Sequence, residues 1–115
     1  MANKYGKELR KLRIDRDENI NDMAKKLGIS ISYLSSIEAG KRNIPNDMTN
    51  KIIEKYHLDK ERSELLRNAE AESSKTVDID LTHVSIEQRK LAFALSRKLN
   101  DISDEECISI LNKLK

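Results

Sequence analysis

An all-α fold, with a head over residues 1–72 and a smaller element over residues 73–115, is predicted by three observations on this chain. Charged residues make up 37% and aromatic residues 3%, with no Trp, one Pro and three Gly, a composition suited to helices around a Leu/Ile core. Residues 19–45, NINDMAKKLGISISYLSSIEAGKRNIP, read as two short amphipathic helices joined by a glycine-centred turn and followed by a basic loop. Finally, Ser85-Ile-Glu-Gln88 and Ser103-Asp-Glu-Glu106 are capping-box patterns that announce two further helices. At 115 residues the chain is about one ordinary domain, so any second unit must be small.

Lys4 to about Arg16 forms the expected first helix, with Tyr5, Leu9, Leu12 and Ile14 as its inward stripe and Lys7, Arg10, Lys11 and Arg13 mostly elsewhere. Asn19 can cap a second helix whose apolar residues Ile20, Met23, Ala24 and Leu27 recur at helical spacing. Gly28 supplies the freedom a tight turn needs. Ser30 caps a third helix that points Leu34 and Ile37 inward and leaves Ile31, Ser32, Tyr33, Ser35 and Ser36 facing outward. A fourth helix, roughly Asn46 to Tyr56 and capped by Asn46 or Asp47, carries Met48, Ile52, Ile53 and Tyr56. The fifth begins at Asp59 and carries Leu65, Leu66 and Ala69 toward Ala71.

Beyond the head the pattern changes. Val77, Ile79 and Leu81 alternate with Asp78 and Asp80, which predicts a short β-strand with one wet face. No second strand-like run exists in the chain, so such a strand needs an edge elsewhere: the same segment of a second copy, or a different protein. An extended linker is the remaining reading. The two capped helices that follow form a helical hairpin with broad apolar surfaces, Leu91, Leu95 and Leu99 on one and Ile108, Leu111 and Leu114 on the other. A hairpin alone buries too little to be stable in water, so this part is expected to dimerise the chain or bind a partner.

Charge is distributed unevenly. Residues 1–58 hold 12 Lys/Arg against 8 Asp/Glu, and residues 59–115 hold 10 against 12, so the half with the two short helices is the basic one. Cys107 is the lone cysteine and the histidines are His57 and His83, too few for a disulfide framework or a plausible metal site. Neither a nucleophile, base and orienter constellation nor a phosphate-binding glycine motif is visible, so neither an enzyme nor a cofactor is expected. No apolar run approaches the roughly 20 residues that span a bilayer, and MANKYGKELRKLR lacks the apolar core of a secretory signal. A cytoplasmic protein is expected.

The spacing over residues 19–45 is that of a helix-turn-helix reader of the DNA major groove. The order Ala24, Gly28, Ser30, Ile37, Glu38, Gly40, Lys41, Arg42 and Pro45 resembles the Cro/C1-type (XRE) helix-turn-helix family. That resemblance implies a five-helix, lambda-repressor-like head of some 70 residues, its first helix bracing the reading unit and Glu38 serving as a scaffold carboxylate. It places Ile31, Ser32 and Ser36 at base-contacting positions, with Ser35 alongside. Ile31 suits a thymine methyl, and the serines can donate or accept a hydrogen bond. Lys41, Arg42 and Asn43 can clamp phosphates; Tyr33 can place its hydroxyl on a phosphate or be structural. Where the family often carries a phosphate-binding Gln this chain has Ile20, with Asn19 or Asn21 as substitute. The function implied is a sequence-specific regulator that binds double-stranded DNA, most simply a dimeric repressor on an inverted repeat. The rival is an antitoxin whose second part neutralises a toxin while its head autoregulates the operon.

Overall fold

The computed structural model describes residues 2–115. Seven α-helices are present among them: α1 (Lys4–Asp15), α2 (Ile20–Leu27), α3 (Ile31–Glu38), α4 (Met48–Tyr56), α5 (Lys60–Ser73), α6 (Ile86–Lys98) and α7 (Asp104–Leu114). Most starts are set by a side chain that satisfies an orphan amide of the first turn. Asn3 accepts from the Gly6 N–H at 2.8 Å, Ser30 from Tyr33 at 3.1 Å, and Asp59 from Arg62 at 2.8 Å. Asn19 and Asp22 exchange N–H bonds reciprocally, both at 2.9 Å, and Ser85–Gln88 and Ser103–Glu106 form the two capping boxes expected of them. At α4 the flanking residue is Asp47, but its side chain makes no capping bond. The chain divides into two compact units, one ending at Asp78 and the other Ile79–Lys115.

In the first unit α1 lies against both α3 and α5, while α4 lies against α2 and α5. Its core joins Tyr5, Leu9 and Leu12 of α1, Met23, Ala24 and Leu27 of α2, and Leu34 and Ile37 of α3. Ile44, then Met48, Ile52 and Tyr56 of α4, and Leu66 and Ala69 of α5 complete it. Helical periodicity errs at two edges. Ile14 is 70% exposed and Leu65 48% exposed, because each lies one position beyond the arc that its helix buries. The reverse error is Arg13, a cation that lies in the interior at 7% exposure.

The predicted strand does not form. Residues 76–82 have no ladder partner, and no strand occurs among the described residues. A single chain offers this segment no second edge, and local bonds compete for its backbone. The Asp80 carboxylate accepts from the Thr82 N–H at 2.9 Å and from its hydroxyl at 2.5 Å, which hold that carboxyl below its usual range. Arg89 donates to the Leu81 carbonyl at 2.7 Å. The period-two pattern is an extended linker with Val77 and Ile79 in solvent. In the second unit α6 runs into a short 3-10 turn, Leu99–Asp101, before α7, and neither helix has a buried residue.

Candidate nucleic-acid interface

The α2–α3 corner is fixed by its turn. Gly28 takes φ +70°, a left-handed backbone that an L side chain resists, and Ile29 donates from its N–H to the Ala24 carbonyl at 3.0 Å. With Leu34 and Ile37 buried, the opposite side of α3 presents Ile31, Ser32 and Ser35 to solvent. Ile31 is 44% exposed at the first turn of the helix, an apolar side chain that the core leaves out. Ser36 is half-buried, and its carbonyl accepts the N–H groups of Lys41 at 2.9 Å and Arg42 at 3.3 Å, which curls the following loop back under α3.

The other end of α3 is clamped by α1. Arg13 donates from both terminal guanidinium nitrogens to the two oxygens of Glu38, at 2.6 and 3.0 Å, in a buried pair. The Asn3 N–H donates to the Glu38 carbonyl at 2.9 Å. Gly6 allows this close approach: a Cβ there would stand 2.5 Å from the Glu38 carbonyl oxygen. One helix thus holds the last turn of α3 while its first turn stays open.

Lys41 and Arg42 are exposed, and the Arg42 guanidinium lies over the Tyr33 ring at 5.4 Å from the centroid. Tyr33 is half-buried and packs on the core, so it serves as a platform for Arg42. Asn43 differs from its neighbours. Its amide is engaged by the linker, accepting from the Lys75 N–H at 3.3 Å and donating to the Thr76 hydroxyl oxygen at 2.8 Å. Asn19 is exposed with its side-chain oxygen engaged as the α2 cap, and Asn21 is exposed on the first turn of α2. The first turn of α3 thus presents Ile31 and small hydroxyl side chains to solvent, the first turn of α2 presents Asn21, and the loop after Gly40 presents two cations.

A fastening cluster at the α2–α4 contact escaped the sequence reading. Glu18 accepts from the Tyr56 hydroxyl at 2.7 Å and pairs with Lys26; Lys26 and Arg16 lie over the Tyr56 ring at 4.5 and 5.6 Å. Partial burial pulls the Glu18 carboxyl upward, but the bonds from Lys26 and Tyr56 outweigh it and leave it below its ordinary value. Burial, reinforced by the Glu18 carboxylate, pushes the Tyr56 hydroxyl up. Glu18 was readable only as one of the charged residues between two helices; nothing in its spacing marks Tyr56 as its partner.

The residues expected to dimerise are placed as follows. Val77 and Ile79 lie exposed in the linker, with Leu81 half-buried. Leu91, Leu95 and Leu99 on the α6 side and Ile108, Leu111 and Leu114 on α7 are all exposed, Leu91 at 66% and Leu114 at 75%. Among the described residues no helix is long and apolar enough to cross a membrane.

No curated protein and no solved structure matches the chain. The helix-turn-helix domain family matches residues 6–70, a span that runs from Gly6 on α1 through the α2–α3 corner to Glu70 on α5. The chain belongs to this helix-turn-helix domain family of XRE-type regulators.

Proposed function

We propose that the protein is a dimeric transcriptional repressor that lays α3 in the DNA major groove and reads an inverted-repeat operator. The observation that carries the reading is the open first turn of α3, with Ile31, Ser32 and Ser35 exposed beside the Lys41–Arg42 loop. Base edges are reached by the N-terminal part of a recognition helix. Ile31 meets a thymine methyl there, and Ser32, Ser35 and Ser36 supply hydroxyls to base edges. No side chain on this face makes a bidentate base contact, so groove shape and bridging water carry part of the specificity. Lys41 and Arg42 bind phosphates, Arg42 aimed by the Tyr33 ring, and Asn19 and Asn21 approach the backbone from the start of α2.

Dimerisation is assigned to α6 and α7, neither of which has a buried residue and whose Leu91, Leu99, Ile108, Leu111 and Leu114 are exposed. Each helix begins acidic and ends basic: Glu87 against Arg97 and Lys98, and Asp104, Glu105 and Glu106 against Lys113. Antiparallel pairing with a second copy about a twofold axis would set opposite signs side by side in an isologous contact. Binding an inverted repeat requires the two α3 helices of this dimer to stand about 34 Å apart, one turn of DNA. Occupying an operator that overlaps a promoter in the cytoplasm then excludes polymerase by sterics alone.

The same uncovered surface supports a second reading, an antitoxin that covers α6 and α7 with a toxin. Light scattering on the purified chain separates the two. A stable dimer that shifts its own upstream DNA supports the repressor; a monomer that dimerises only with the product of a neighbouring reading frame supports the antitoxin.

A further inference from the structure

The segment that follows α5 is tied to the loop that follows α3. Asn43 spends both ends of its amide on it: the oxygen accepts from the Lys75 N–H at 3.3 Å, and the nitrogen donates to the Thr76 hydroxyl oxygen at 2.8 Å and carbonyl at 3.3 Å. The course of the chain leading there is independently fixed. Ser73 accepts from the Tyr5 N–H at 3.1 Å, and Lys4 pairs with Glu72 at 3.0 Å, so the end of α5 lies at the start of α1. The start of α1 is in turn bonded to the end of α3 through Asn3 and Glu38. Residues 72–76 therefore run past the loop that carries Lys41 and Arg42.

That placement concentrates positive charge. Residues 39–46 contain no acidic residue, Glu72 is paired with Lys4 at 3.0 Å, and Lys75 is exposed with its backbone one hydrogen bond from Asn43. We propose that Lys75 is a third phosphate-binding cation of the DNA-binding surface, beside Lys41 and Arg42, and that Asn43 is the positioning residue that holds it there. The inference rests on the DNA-binding reading above and deepens it: the linker becomes part of the binding surface, and Asn43 acts through Lys75 in place of touching a phosphate itself. A cation on a segment bonded to the loop keeps its place near the backbone, whereas one on a free linker spends most of its time elsewhere.

The test is a salt titration of full-length chain on a mixed-sequence DNA duplex. Each neutralised phosphate contributes about 0.9 to the slope of log affinity against log salt. Lys75→Ala is expected to lower that slope by about 0.9, equally on mixed-sequence and upstream DNA, with thermal unfolding unchanged, and Lys75→Arg is expected to restore it. Asn43→Ala lowers the slope in the wild-type background and leaves it untouched in the Lys75→Ala background. A wild type that binds DNA with the same slope as Lys75→Ala overturns the proposal alone, and so does an Asn43→Ala loss that persists undiminished without Lys75. A wild type that binds no duplex overturns it together with the function it rests on.

Discussion

Arg13 and Glu38 form a buried ion pair with two hydrogen bonds, and its strength lies in being complete. Removing one partner leaves an uncompensated charge in the interior, so Arg13→Ala or Glu38→Ala is expected to cost about 3–5 kcal/mol, measured by urea unfolding. Gly6→Ala is expected to cost about 1–3 kcal/mol in the same assay, because its Cβ would meet backbone that cannot step aside. Glu18 makes a pH-dependent contribution. Its folded carboxyl titrates below the unfolded one, so this stabilisation is full above the ordinary glutamate value near about 4.3 and is lost as the pH falls through the folded value. Unfolding measured against pH should show a shallower acid limb in Glu18→Gln than in the wild type. At the proposed DNA surface, Lys41→Ala and Arg42→Ala should each lower the salt slope by about 0.9 on every duplex. Ser32 and Ile31 variants should instead change preference at particular base pairs, read by competition among single-substituted duplexes.

At the scale of elements, Gly28 and the caps determine where helices stop and start. Gly28→Ala forces an L side chain into a left-handed backbone at a cost of about 1–2 kcal/mol, and a fall in the thermal midpoint checks it. These features were legible in sequence because each is local: Asn19, Ser30, Asp59, Ser85 and Ser103 cap the helices their spacing predicts. Arg13 was not legible, since periodicity reports polarity and not a partner 25 residues away. The strand that alternation predicts over Val77 to Leu81 is absent for a related reason. Alternation describes a segment that could be half-buried on a sheet, but a strand exists only with an edge to pair with, and Asp80 and Arg89 satisfy this backbone locally instead. Asn43 shows the same limit at the candidate site. Its place in a basic loop offers it as a phosphate ligand, and nothing in that spacing shows its hydrogen-bond partners Lys75 and Thr76, which lie two helices further along the chain.

Across the whole molecule, the two units differ in how they hold themselves together. The first has a continuous core drawn from five helices, whereas the second has two well-capped helices and no buried residue on either. Helices of this length are marginal in water without a covered face, so association and folding of the second unit are expected to be linked. Dilution should therefore lower helicity in step with loss of the dimer, which far-UV circular dichroism against concentration would read. In the proposed dimer DNA binding inherits that linkage, because two joined heads would bind two half-sites at a raised effective concentration. The most direct test of this account is the mass of the chain by light scattering, free and on its own upstream DNA. The predicted result is a species of twice the 13.2 kDa chain mass that binds the duplex intact, as two chains per site. A 13.2 kDa monomer that leaves this DNA unbound would contradict it.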